Sequence, residues 1–160
     1  MSEIISLTND TLDPMLFLLD NYGVKEVRGH NDNAIILEMF DELNFGHHNL
    51  HDETSWCAAA MGWSLKKTGY AYLQTLSAAA YLDYGESVIK SPRIGDIAIF
   101  WRGKFKGEKI PGTNVMKAHI GYRIGYEPYW MKLLSGNVSD ELNISKQPMR
   151  KLLDIRRPYK

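Results

Sequence analysis

Two kinds of periodicity meet at the stretch Pro92-Arg93-Ile94-Gly95-Asp96-Ile97-Ala98-Ile99-Phe100-Trp101. Before this stretch, apolar residues recur at the i, i+3, i+4 spacing of amphipathic helices, and after it they alternate with a period of two. Helices followed by an antiparallel sheet define the α+β class. We therefore expect one α+β domain over residues 1–160, with a helical half at about 1–91 and a sheet half at about 92–160.

The sheet half contains five short segments that are rich in β-branched and aromatic residues. The connections after the second and third segments, Gly125–Pro128 and Gly136–Asp140, contain turn residues. The pattern predicts an antiparallel meander of five strands, namely Asp96–Trp101, His119–Ile124, Trp130–Leu134, Leu142–Ser145 and Leu152–Arg156.

The helical half contains four segments with capping residues at their ends. The first is expected at about 14–22, and the second over Ile35 to Leu43 with Asn31 or Asp32 as its cap. The third should begin near Thr54 or Ser55 and end at Lys67, because serine and threonine are good N-caps and lysines favour the last turn. The fourth should lie between Ser77 and Gly85.

The formal net charge of zero conceals an asymmetry along the chain. Residues 1–91 carry 5 Lys/Arg against 13 Asp/Glu, and residues 92–160 carry 14 against 6. Proteins that bind nucleic acid are usually basic overall, so a nucleic-acid partner is not expected. The two halves of opposite charge should instead attract each other within a monomer and polarise the cleft between them.

The N-terminal residues lack the basic and apolar regions of a signal peptide, and no segment approaches the about 20 apolar residues of a membrane span. We therefore expect synthesis in a reducing cytoplasm, without a membrane span. Action outside the cell would then require lysis or a dedicated export machinery.

The most reactive candidate is Cys57, the only cysteine, at the start of the predicted third helix. The N-terminal N–H groups and the dipole of a helix favour a thiolate at this position. Farther along the sequence lie a histidine on a predicted strand, His119, and an asparagine, Asn137. In that order they fit the nucleophile, the base and the orienting residue of a cysteine hydrolase, with a thiolate–imidazolium pair. A small buried hydrophobic residue is the alternative for a lone cysteine.

Ser55 and Trp56 are closest in sequence to the nucleophile, and we expect one of them to supply a donor beside the Cys57 N–H for the oxyanion or to contact the substrate. A zinc site at His47, His48 and His51 would need a further ligand at suitable spacing, which the sequence lacks. We therefore interpret the histidine segment as a solvated loop and expect neither metal nor cofactor.

The long connection at residues 103–117 carries Lys104, Lys106, Lys109 and Lys117 and should lie over the active-site end of the sheet. Its charges would suit the carboxylates of an acidic peptide, although an ordinary solvated loop is the simpler interpretation. Trp63, Trp101 and Tyr122 fit core positions. Tyr126, Tyr129 and Trp130 lie near a turn, where contact with sugar is the alternative to core packing.

Several motifs occur in an order that resembles the papain-like superfamily of CHAP and NlpC-type cysteine amidases and endopeptidases. The resemblance covers nearly the whole chain, and Gly23-Val24-Lys25-Glu26-Val27-x-Gly29 is similar to the lead-in segment of a phage-associated branch. The motifs are Asp52-x-x-x-Trp56-Cys57-Ala58-Ala59, Pro92-x-x-Gly95-Asp96-Ile97-Ala98-Ile99-Phe100, His119-Ile120-Gly121, Ser135-Gly136-Asn137 and Arg156-Arg157-Pro158.

This resemblance implies a peptidoglycan hydrolase with Cys57 as nucleophile, His119 as base and Asn137 as orienting residue. The cleaved amide would lie between muramic acid and L-alanine or within the stem peptide. Relatives can carry an acidic residue two positions before the asparagine, where this chain has Ser135, so the role of Ser135 stays open.

An endolysin or an exported antibacterial effector fits the absence of a signal peptide. The alternative is a phage accessory protein of the same fold that binds peptide or glycan without hydrolysing it.

Overall fold

A computed structural model describes residues 13–25, 33–46 and 56–160. Helical segments come first and a five-stranded sheet follows, which confirms the α+β class. The helices are α1 at residues 13–19, α2 at Ala34–Glu42 and α3 at Cys57–Lys67, and a 3₁₀ segment covers Ala78–Asp83. The strands are β1 at Ile97–Trp101, β2 at Ala118–Glu127, β3 at Trp130–Val138, β4 at Glu141–Pro148 and β5 at Leu152–Arg156.

The sheet is antiparallel, in the order β4-β3-β2-β1-β5. Strands β1 to β4 form the predicted meander, but the expectation that β5 extends it beyond β4 is wrong. A 3₁₀ turn at Met149–Lys151 returns the chain, and β5 pairs with β1, with Ile155 opposite Ala98. Asp96 explains this return, because its buried carboxylate accepts two hydrogen bonds of 2.9 Å from Arg157, just beyond β5.

The two faces of the sheet contribute to separate apolar clusters. The larger cluster joins the helices to one face, through residues such as Ile99, Ile120 and Leu134. The smaller one includes Phe100, Leu133 and Ile155. Helix α3 is buried from Cys57 to Leu65, and its run of alanines allows the sheet to approach closely. Trp63 and Tyr122 are buried as expected.

The helix ends differ from the sequence predictions for identifiable reasons. Helix α1 ends at residue 19 rather than 22, because the chain turns to pair with β4 through Gly23 N and Leu142 O at 2.9 Å. Asn33 caps α2, since its Oδ1 accepts from Ile35 N, so the caps expected at Asn31 and Asp32 are wrong; both lie outside the described residues.

Two further helix predictions need correction. The N-cap of α3 is Trp56, without a side-chain cap bond, rather than Thr54 or Ser55, which lie outside the described residues. The segment after Ser77 is a single 3₁₀ stretch rather than an α-helix. The hydroxyl of Tyr84, just after it, donates to Ala71 O at 2.7 Å and ties it to the preceding chain.

The strands β2 and β3 are longer than predicted. The turns predicted at Gly125–Pro128 and Gly136–Asp140 both included residues that belong to these strands. Gly125 lies in β2 next to a shift in register after Arg123. Gly136 lies in β3 and faces helix α3. Within residues 13–25, 33–46 and 56–160, no helix is long and apolar enough to cross a bilayer.

Candidate active site

Cys57 is the first residue of α3 and is 4% exposed. The first N–H groups of a helix have no partner within the helix, and together with the helix dipole they stabilise negative charge at this end. The thiol therefore lies where a thiolate, or the oxyanion of an attacked carbonyl, is favoured.

Packing between Trp56 and the sheet fixes this helix end. A methyl group on Gly136 would lie 2.5 Å from the Trp56 ring and 3.0 Å from Ala60 Cβ, so the absence of a side chain lets α3 rest on β3. Trp56 is fully buried. This position leaves its side chain unable to reach a substrate, so only its backbone is available for the role expected from the sequence.

His119 forms a hydrogen bond with a residue of the neighbouring strand. Its Nε2 lies 2.8 Å from Ser135 Oγ, and the two side chains are only 6% and 2% exposed. The other ring nitrogen, Nδ1, takes no part in this bond. A hydrogen bond at one ring nitrogen restricts the orientation of the ring, and a restricted orientation is what a general base requires.

Gly121 makes room for this pair of side chains. A methyl group there would lie 2.6 Å from Leu134 O and 2.7 Å from Ser135 Cβ. Real Cβ atoms do not come so close to backbone atoms, so any side chain at position 121 would displace Ser135 or the strand that carries it. Sequence reasoning noticed Gly121 only as part of a motif.

The pKa of His119 is lowered to about 4. Burial is the larger cause, because it disfavours the charged imidazolium, and the positive charge of Arg102 adds to the effect. Both effects favour the neutral imidazole over the imidazolium.

A cavity of about 420 Å³ connects Cys57 with the chain that leads into β2. Cys57 and Ala118, the neighbour of His119, both line it. Part of its wall comes from the connection at 103–117, through residues such as Ile110, Val115 and Lys117. The connection at 103–117 therefore lies beside Cys57. Its Lys117 is bound to Glu108.

Asn137, predicted as the orienting residue, lies two positions beyond Ser135 in β3. It is half-buried and has a left-handed backbone (φ 61°), where the register between β3 and β4 shifts. Ser135 forms a hydrogen bond with His119, so this serine is a further candidate for the orienting role. The function of Asn137 stays a prediction.

The remaining site predictions concern residues outside the described ranges. Ser55 lies there, as do His47, His48 and His51. Among residues 13–25, 33–46 and 56–160, no three histidine, cysteine or acidic side chains form a group that could hold a metal ion.

The order of elements, with helices before a five-stranded antiparallel sheet, defines the class of fold as α+β. No protein-family model matches the sequence, and no curated protein matches it.

Among solved structures, the chain is similar to a Staphylococcus aureus protein described as similar to a lipoprotein of the NLP/P60 family. The TM-score is 0.51 and the sequence identity 18%. The match covers 94% of this chain but only 41% of the staphylococcal chain. This likeness establishes the fold and leaves activity and substrate to be argued from the site.

Proposed function

We propose that this chain is a cysteine hydrolase that cleaves an amide bond of bacterial peptidoglycan. The observation that carries the proposal is the buried His119–Ser135 hydrogen bond, next to a cavity that also contains the helix-initial Cys57. The NlpC/P60-type fold supports the same class. Cys57 is the nucleophile, His119 the general base and Ser135 the residue that positions the imidazole.

The chemistry begins with a neutral imidazole. The mechanism uses the tautomer in which Nε2–H donates to Ser135 Oγ, so that Nδ1 carries the lone pair and accepts the thiol proton as sulfur attacks the carbonyl carbon. The N–H of Cys57 stabilises the oxyanion. The C–N bond then breaks, and the imidazolium returns its proton to the leaving amine. Water, deprotonated by His119, cleaves the thioester, and the proton returns to the thiol.

The test is digestion of purified sacculi by the wild type and by Cys57→Ala. We expect soluble fragments only from the wild type, and mass spectrometry of the fragments identifies the bond. A free lactyl group indicates an N-acetylmuramoyl-L-alanine amidase, and a new peptide end indicates an endopeptidase. Equal release by both proteins, or new reducing sugar ends, would contradict the proposal.

A second candidate is a non-hydrolytic protein that binds glycan or peptide. Three aromatic side chains at the β2–β3 turn favour it, since Tyr126, Tyr129 and Trp130 are 69%, 79% and 43% exposed and exposed rings suit sugar faces. This candidate predicts that wild type and Cys57→Ala sediment equally with sacculi and that neither releases fragments.

The wider setting follows from the same proposal. The setting we propose is that of an endolysin or an exported antibacterial effector that acts on the bacterial cell wall. Assignment to the phage-associated branch belongs to the proposal as well.

A further inference from the structure

The cavity beside Cys57 contains two cationic side chains that differ in their contacts. Lys117 forms an ion pair with Glu108. The guanidinium of Arg102, which is exposed, forms no hydrogen bond or ion pair with the part of the chain that the structure describes. Arg102 is thus a charge at the cavity that no described side chain neutralises.

The backbone holds Arg102 in this place. Arg102 directly follows β1, and its N–H donates to Lys117 O at 3.0 Å across the base of the connection at 103–117. Its positive charge also reaches His119, since it contributes to the lowered pKa of that ring. Arg102 therefore lies close to both ends of the candidate site, the cavity of the nucleophile and the base.

The rest of the cavity wall is largely apolar. Leu76, Ala78, Ile110, Val115 and Met116 contribute to it. Such a wall suits an aliphatic group, whereas a guanidinium suits a carboxylate, to which it presents two parallel N–H donors. The two features together describe a ligand with an aliphatic part and a free carboxylate.

We infer that Arg102 is a specificity-determining residue that binds a free carboxylate of the substrate next to the scissile amide. The inference rests on the proposed hydrolase function and specifies its substrate. A stem peptide with an ionised carboxylate at this position should be a good substrate. The same peptide with a carboxamide there should be a poor substrate. A carboxamide offers one acceptor oxygen and no charge, so the charge-assisted pair is lost.

The experiment compares two synthetic stem peptides that differ only in carboxylate or carboxamide beside the cleaved bond. We expect the wild type to show a kcat/KM about 10- to 100-fold higher for the carboxylate peptide, the range of a charge-assisted hydrogen bond. Arg102→Gln should remove this preference, because only the carboxylate peptide loses a charge-assisted pair. Arg102→Lys should restore part of it, because the charge returns without the two-donor geometry.

The ratio between the two peptides is the decisive quantity. Loss of the Arg102 charge also acts on His119, but that effect changes both peptides alike and cancels in the ratio. Lys106→Gln removes an exposed cation that does not line the cavity and serves as the matched control, with an unchanged ratio. Equal rates of the wild type on both peptides, or an equal loss on both in Arg102→Gln, would overturn the inference.

Binding separates this inference from the proposed reaction. In a Cys57→Ser background, calorimetry with the same two peptides should show the preference for the carboxylate peptide and its loss in Arg102→Gln. If the wild type cleaves neither peptide but this preference is present, the hydrolase proposal fails and the role of Arg102 stands. If calorimetry shows no preference for the carboxylate peptide, the inference about Arg102 is wrong, whichever peptides the wild type cleaves.

Discussion

At the residue scale, Ser135 is a hydrogen-bond partner of His119 whose role the sequence left open. The sequence predicted Asn137 as the orienting residue, because a downstream amide is a familiar partner of a catalytic histidine, and that role stays a prediction. Pairing of β2 with β3 decides which side chain meets His119 Nε2, and that side chain is Ser135. Cys57 and His119 were candidates from their order alone, whereas the partner of His119 depends on strand register, which local sequence does not fix.

Ser135→Ala should lower kcat/KM by about 10- to 100-fold, as for other residues that orient a reacting side chain. The imidazole would lose its hydrogen-bond partner, so its pKa should change and the acidic limb of the pH–rate profile should also move. Ser135→Thr, which keeps the hydroxyl, should recover most of the activity. A loss of activity in Ser135→Ala with an unchanged pH profile and no rescue by threonine would assign Ser135 a purely structural role.

His119 should make the free energy of unfolding depend on pH. Its pKa is about 4 in the folded protein and about 6.5 in an unfolded chain, so below about pH 6.5 the unfolded state takes up the proton first. The stabilising contribution is complete above pH 6.5 and is lost as the pH falls towards 4, by roughly 3 kcal/mol in all.

Urea unfolding at pH 7 and at pH 4.5 tests this dependence. Between pH 7 and pH 4.5, the free energy of unfolding of His119→Gln should fall less than that of the wild type, because glutamine does not titrate. The carboxylates titrate in both proteins, so their contribution cancels in the comparison. An identical loss in the two proteins would show that the ring is not held in its neutral form.

At the scale of elements, two glycines allow the strands and α3 to approach each other. Gly121 lies against Leu134 and Ser135, and Gly136 lies against Trp56. The sequence predicted all five strands and most of the central residues of each strand, since alternation of apolar and polar residues is a strong local signal. It placed Gly136 in a turn, because the reason for a glycine there lies in a helix almost eighty residues away.

Gly121→Ala should destabilise the protein by about 1–3 kcal/mol or more, the cost of an added group in a packed site. It should also impair catalysis, because the new methyl group displaces Ser135. Gly125→Ala is the matched control: it lies in the same strand and has nothing within 4 Å of a new Cβ. Comparable thermal denaturation curves for the two variants would refute the close approach at Gly121.

At the scale of the whole molecule, a buried ion pair joins the end of the chain to the start of the sheet. Asp96 is fully buried, Arg157 is bound to it through two nitrogens, and Arg93 N donates to the same carboxylate at 2.6 Å. The sequence marked Asp96 and Arg157 only as parts of separate motifs. Their contact is what places β5 beside β1, so the strand order could not be read from periodicity alone.

Arg157→Met should lower the free energy of unfolding by about 3–5 kcal/mol, because it leaves the Asp96 carboxylate buried without its counter-charge. Lys146→Met, which removes an ion pair with Glu127 at the surface, should cost less than about 1 kcal/mol. The double variant Asp96→Asn/Arg157→Met should be more stable than Arg157→Met alone. If chemical denaturation gives similar values for Arg157→Met and Lys146→Met, the ion pair does not hold β5 in place.

The return of β5 to β1 has a consequence for synthesis on the ribosome. Strand β1 is the first strand of the sheet to be synthesised, but its neighbour β5 emerges only with residues 152–156. Until then one edge of β1 presents unpaired backbone groups, which are a template for pairing with other chains. A chain released before residue 152 would contain both Cys57 and His119 and still have this open edge. Termination between residues 119 and 152 should therefore give a fragment that aggregates, although it contains both residues of the candidate site.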